Sequence, residues 1–128
     1  MKLAEKYQKA PHYMQNINLP YAVNARRIPL GFSAEIEQGF IDIEDLVEIA
    51  RNIVLDPAQH KFARYELVGE NISYSDIART ISRLTHEDIQ CEQLTPTEFV
   101  ARAKASGEIK DERGEDSLTH LLLYYDRW

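Results

Sequence analysis

Phe40-Ile41-Asp42-Ile43-Glu44-Asp45-Leu46-Val47 is the stretch whose reading decides the fold. Two apolar residues end in an aspartate, which has the side chain of a helix N-cap, and two more acids follow where the positive end of a helix favours them. Beyond them Leu46, Val47, Ala50, Ile53 and Val54 recur at helical spacing and are expected to form a buried stripe, until Asp56-Pro57 stops the helix. Upstream, Glu35-Ile36-Glu37-Gln38-Gly39-Phe40-Ile41 reads as the strand that feeds it. The unit is therefore strand, cap, helix.

The same grammar repeats along the chain. Ser73-Tyr74-Ser75-Asp76 opens a helix carrying Ile77, Ala78, Ile81 and Leu84 and running to about Thr85. In Thr95-Pro96-Thr97-Glu98 the threonine caps, proline suits the first helical position, and Glu98 can reach back to the cap. Phe99, Val100 and Ala103 follow, up to Gly107. A last helix is expected over 116–125, with Leu118, Leu121, Leu122 and Tyr125 on one side. Further strands are predicted over 28–32, 64–68 and 89–93, while 11–26 reads as helix or loop because Pro20 interrupts it. Strands alternating with helices give an α/β class, with a small partly parallel sheet flanked by helices. The expectation is one domain over 1–128, with residues 1–10 flexible.

Composition narrows the function classes. The chain has 128 residues, 44% of them hydrophobic and 28% charged, as in an ordinary globular domain. A net charge of −6 repels nucleic acid and anionic membranes, so neither is an expected partner. No apolar run approaches the roughly 20 residues that span a bilayer. The single cysteine, Cys91, excludes an internal disulfide, and the polar N-terminus lacks a signal-peptide core, so the expected setting is cytoplasmic.

From His12 to about Arg102 a series of landmarks occurs in an order that resembles the C-terminal, substrate-binding part of the NmrA-like family of atypical short-chain dehydrogenase/reductases. His12-Tyr13-Met14-Gln15-Asn16 is similar to the family's aromatic-x-x-Asn segment at the substrate cleft. The stretch from Phe40 to Val47 resembles its strand-to-helix junction. Residues 65–78, from Tyr65-Glu66-Leu67-Val68-Gly69 to Asp76-Ile77-Ala78, resemble its "YELTG…lSyxEIA" segment, and 89–100 its closing strand and helix. The resemblance implies a fold like that substrate domain, with the Rossmann half absent.

A dinucleotide site needs glycines clustered between a strand and a helix. The five glycines, at 31, 39, 69, 107 and 114, never cluster, and none of the seven tyrosines is followed by lysine four residues on. No nicotinamide cofactor is therefore expected. His12, His60, His86 and His120 lack metal-ligand spacing, and no metal is expected either. His12 is the one that the resemblance places at the cleft mouth, with a solvent-exposed role expected even there, and Cys91 reads as a small strand residue rather than a nucleophile.

The candidate catalytic residues are Glu35 and Glu37, which the resemblance places on the substrate-facing segment. A carboxylic acid packed against Phe32, Phe40 or Tyr13 would gain a raised pKa and donate a proton. The same alternation equally fits the solvated face of an edge strand, and Asp42 is explained by capping. His12, Tyr13, Gln15, Asn16 and Phe40 are the candidate substrate-binding residues.

Three functions remain open. One is a cofactor-independent isomerase or cyclase, acting by carboxylic-acid proton donation on an apolar or aromatic metabolite, as in biosynthesis of secondary metabolites. Another is a non-catalytic small-molecule-binding or regulatory module. The last is a truncated portion of an NAD(P)-dependent reductase. A substrate domain without its Rossmann half is expected to cover its old contact face by forming a homodimer. Tyr13, Met14, Ile17, Leu19, Tyr21, Leu121, Leu123, Tyr124 and Trp128 are the candidates for that face.

Overall fold

A computed structural model describes residues 12–126. The elements, in chain order, are β1 (His12–Tyr13), a 3-10 turn (Met14–Asn16), α1 (Leu19–Ala25), β2 (Arg27–Leu30), β3 (Gln38–Ile41) and α2 (Ile43–Leu55). After them come β4 (Glu70–Ile72), α3 (Tyr74–Thr85), β5 (Gln90–Gln93), α4 (Pro96–Ala105) and α5 (Glu112–Asp126). The class is α/β, with short strands flanked by helices. Two compact units share the chain, one made of residues 12–18 with Gln38–Ile72, the other of Leu19–Glu37 with residues 73–126.

The first unit is built on a three-stranded sheet in the order β1-β3-β4. β3 runs parallel to β1, with His12 opposite Phe40, and antiparallel to β4, with Gln38 opposite Ile72. Phe40 and Ile41 are 1% and 3% exposed, and each such apolar side chain contributes ~1.5–3 kcal/mol by leaving water. Asp42 caps α2 as its sequence predicts: its Oδ1 accepts from the Glu44 amide at 2.8 Å.

Two expectations fail in this unit. Residues 64–68 form no strand; the pairing with β3 begins at Glu70 instead. Gly69, just before it, donates its amide to the Phe40 carbonyl at 2.8 Å. An added Cβ at Gly69 would lie 3.2 Å from that same oxygen, so the close approach is suited to glycine. The stripe expected to be buried on α2 also divides. Leu46 and Ile53 are half-buried, as is Ile49, whereas Val47, Ala50 and Val54 face solvent.

The second unit pairs β2 with β5 in parallel, Ile28 opposite Cys91 and Leu30 opposite Gln93. Its core joins Ile28, Leu30 and Phe32 with Ile77, Ala78 and Ile81 of α3, Val100 and Ala103 of α4, and Leu122 and Tyr125 of α5. Ser73 caps α3 by accepting from the Asp76 amide. Thr95 and Glu98 complete a capping box at α4, with Thr95 N donating to the Glu98 carboxylate at 2.8 Å. Glu35 and Glu37 lie outside any strand: Glu35 sits in a turn and Glu37 in the coil before β3. The expected strand over 35–41 is thus only its last four residues. The predicted fourth helix starts earlier, at Glu112, where the Asp111 carboxylate accepts from Gly114 N at 2.8 Å.

Of the residues expected on a dimer face, Tyr13, Leu19, Tyr21, Leu121, Leu123 and Tyr124 are between 39% and 51% exposed. Met14 and Ile17 are half-buried, and Trp128 lies outside the described residues, as do residues 1–11. No helix among the described residues is long and apolar enough to cross a membrane.

Candidate functional site

An open cleft of about 550 Å³ lies in the second unit, between residues 33–35, α3 and residues 88–93. Backbone geometry fixes its rim. The Ser75 amide donates to the Ala34 carbonyl at 3.1 Å, which ties the turn to the first residues of α3. The Ser75 hydroxyl then donates to the Glu35 carboxylate, and the Glu35 amide donates to Ser33 Oγ at 3.4 Å. Glu35 is thereby held at the edge of the cleft by both its backbone and its side chain, with one carboxylate oxygen engaged by serine.

Opposite Glu35 stands Cys91 on β5. Its thiol donates to the Tyr74 carbonyl at 3.4 Å. Burial pushes the Cys91 thiol up, and the charge of Glu35 pushes it further. A thiol so placed is a weak hydrogen-bond donor at neutral pH and a poor nucleophile. Behind the cleft wall the Tyr74 hydroxyl is pushed up to about 12, chiefly by burial, and its ring meets Phe32 edge-on at 5.5 Å. Gln93 also lines the cleft, its Nε2 donating to the Phe32 carbonyl at 2.9 Å.

Charge in the cleft is mixed. Arg79 borders it while bonding Asp76 one turn earlier at 2.5 Å, and Asp88 adds a second acid. The Ser73 hydroxyl, with Arg79 beside it, holds the Asp76 carboxyl below its usual range. Ser82 anchors the floor: its Oγ donates to the Ala78 carbonyl at 2.8 Å and accepts from the Ile89 amide at 2.9 Å. The lining presents hydroxyls, amides, carboxylates and a guanidinium beside a larger share of apolar surface.

Of the residues expected to act, Glu35 borders this cleft; Glu37, two positions on, is exposed and does not. The expected binding residues all belong to the first unit. His12 stacks on Phe40 with ring centroids 5.1 Å apart, and Phe40 itself is core. Gln15 serves as a clamp: its Nε2 donates to Asp42 Oδ1 at 3.0 Å and its Oε1 accepts from the Ile43 amide at 3.2 Å, so both ends are spent on the start of α2. Tyr13 and Asn16 are exposed. His60 contacts the Tyr65 hydroxyl, and His120 Nδ1 lies 2.7 Å from the Asp116 carbonyl.

Sequence reasoning missed Ser75, Arg79 and Gln93 as cleft residues. A signal for Ser75 existed: Ser73-Tyr74-Ser75 offers two serine hydroxyls where capping uses one. A second cleft, of about 400 Å³, separates α2 from residues 66–69 in the first unit, with Asp45, Glu48 and Glu66 on its rim. Among the described residues no group of three or more His, Cys, Asp or Glu side chains is placed to hold a metal ion. No family model, no curated protein and no solved structure matches the chain.

Proposed function

We propose that the second unit binds a small metabolite in the Glu35 cleft and that Glu35 relays a proton between two of its atoms, a cofactor-independent isomerisation or cyclisation. The observation that carries the reading is the hydrogen bond from Ser75 to Glu35 at the cleft rim. A carboxyl group held on one oxygen leaves the other to take up and return a proton, which needs no oxidant or reductant. Ser75 acts as a positioning residue, limiting the rotamers of Glu35. The cleft combines apolar surface with hydroxyls, amides and charged groups, which suits a small ligand that carries hydroxyl or carbonyl groups on an apolar frame. The resemblance of the sequence to an NmrA-like substrate domain supports small-molecule binding in the same direction.

A non-catalytic binding module is the second reading, favoured by the exposure of Glu35 and the openness of the cleft. Deuterium uptake separates the two. The protein is incubated in D2O with a panel of hydroxylated and carbonyl metabolites, and C–H exchange and binding are followed by proton NMR. The proton-relay reading expects exchange that falls by ~10²-fold or more in Glu35→Gln, with binding preserved. Binding without exchange selects the second reading, and binding unaffected by any cleft substitution refutes both.

A further inference from the structure

We propose that the outward face of α2 is a homodimer interface, on which two copies of this chain pack their α2 helices antiparallel about a two-fold axis. At 100° per residue Ile43, Val47, Ala50 and Val54 fall within ~60° of one another on the helix surface. Val47 and Val54 are 60% and 76% exposed, Ile43 is 38% exposed, and Ala50 is exposed. Roughly 100° round the helix, Leu46, Ile49 and Ile53 form a separate half-buried face. The helix thus carries two apolar faces, and the more exposed one is a continuous strip ~16 Å long. Leu55, 66% exposed, extends the apolar surface at its end. Val47 and Val54 are more exposed than any of the large apolar residues on α1 and α5, which reach at most 51%.

A single exposed valine is ordinary; a helix-long strip of apolar residues at a, d-like spacing is what a helical partner covers. Charge selects both the partner and its direction. Glu44 and Arg51 flank the strip on one side, seven residues or ~10 Å apart. In an antiparallel pair equivalent flanks meet, so Glu44 of each copy comes beside Arg51 of the other, twice by symmetry. A parallel pair would instead turn that flank toward the Leu46 and Ile53 side of the other copy, leaving Glu44 and Arg51 without this pairing, and would align the two helix dipoles unfavourably. Ala50 lies near the crossing point opposite Val47, where a small residue lets the backbones approach. The strip therefore complements itself.

Sedimentation equilibrium on the full chain over ~1–300 μM tests this. The expected species has twice the 14.8 kDa mass of one chain. Val47→Glu is expected to yield the single-chain mass with the circular dichroism of a folded protein. Arg51→Glu, on an exposed side chain, keeps the fold safe and is expected to weaken the dimer ~10-fold, while Glu44→Arg combined with Arg51→Glu restores it. A single-chain mass throughout overturns the proposal. So does a dimer indifferent to Val47→Glu, or one weakened further by the double charge swap, which would place the contact elsewhere or in the parallel sense.

Discussion

Gly31 follows directly on β2 and begins the segment that carries Glu35. A Cβ added there would stand 2.9 Å from both Leu122 Cδ1 and Cδ2, and 3.0 Å from Phe99 Cβ. Carbon atoms rest at roughly 3.5–4.0 Å, so all three contacts are short by about half an ångström or more. Leu122 is 2% exposed and has little room for another rotamer, and Phe99 Cβ is fixed to the α4 backbone. Overpacking of this kind costs about 1–3 kcal/mol. Losing the freedom of glycine in the unfolded chain returns about 0.4–1 kcal/mol, leaving Gly31→Ala destabilised by ~1–2 kcal/mol. Urea unfolding followed by circular dichroism measures it. The mechanism is tested by the cycle with Leu122→Ala: that change alone costs ~2–5 kcal/mol, and the alanine at 31 should fill part of the space it leaves. The double variant should therefore be at least ~1 kcal/mol more stable than the sum of the singles. A Gly31→Ala protein as stable as the parent, or a cycle that adds within about 0.5 kcal/mol, refutes the argument.

Cys91 should react slowly with iodoacetamide at pH 7 and 8 and accelerate only above its ordinary value of 9.0, because burial and then Glu35 hold it up; Glu35→Gln should shift that acceleration to lower pH. Stability should fall in acid as Asp76, Glu92 and Glu98 take up protons. Ser73 lowers the first, Arg102 the second and the Thr95 amide the third, so their contribution is present above the ordinary values of 3.8 and 4.5 and is lost as pH drops through the lower folded ones. An acid unfolding midpoint unchanged in Arg102→Ala would count against the Glu92 share. Thr95→Ala removes the capping box of α4 and should cost about 1 kcal/mol in urea, with Thr95→Ser near neutral.

Where the decisive contact spans three or four residues, the sequence alone was enough. Asp42, Ser73 and Thr95 each announce a helix because a short side chain reaches an amide two or three positions on, whatever the rest of the chain does. The alternation of strands and helices, and hence the α/β class, follows from that local grammar. Strand limits did not follow from it. Residues 64–68 have strand composition, yet β4 forms at 70–72 because the antiparallel register with β3 is set there by partners some thirty residues away. Likewise Glu35 leaves the strand pattern because its turn is pinned to Ser75, forty positions along the chain. Gln15 looked like a ligand-binding amide and is a clamp on Asp42, 27 residues distant. On α2 the sequence marked the apolar positions, but only the tertiary structure decided which of them, Leu46 and Ile53 rather than Val47 and Val54, are the less exposed. Periodicity specifies that a face is apolar; which part of a wide apolar face is covered depends on what the chain brings against it.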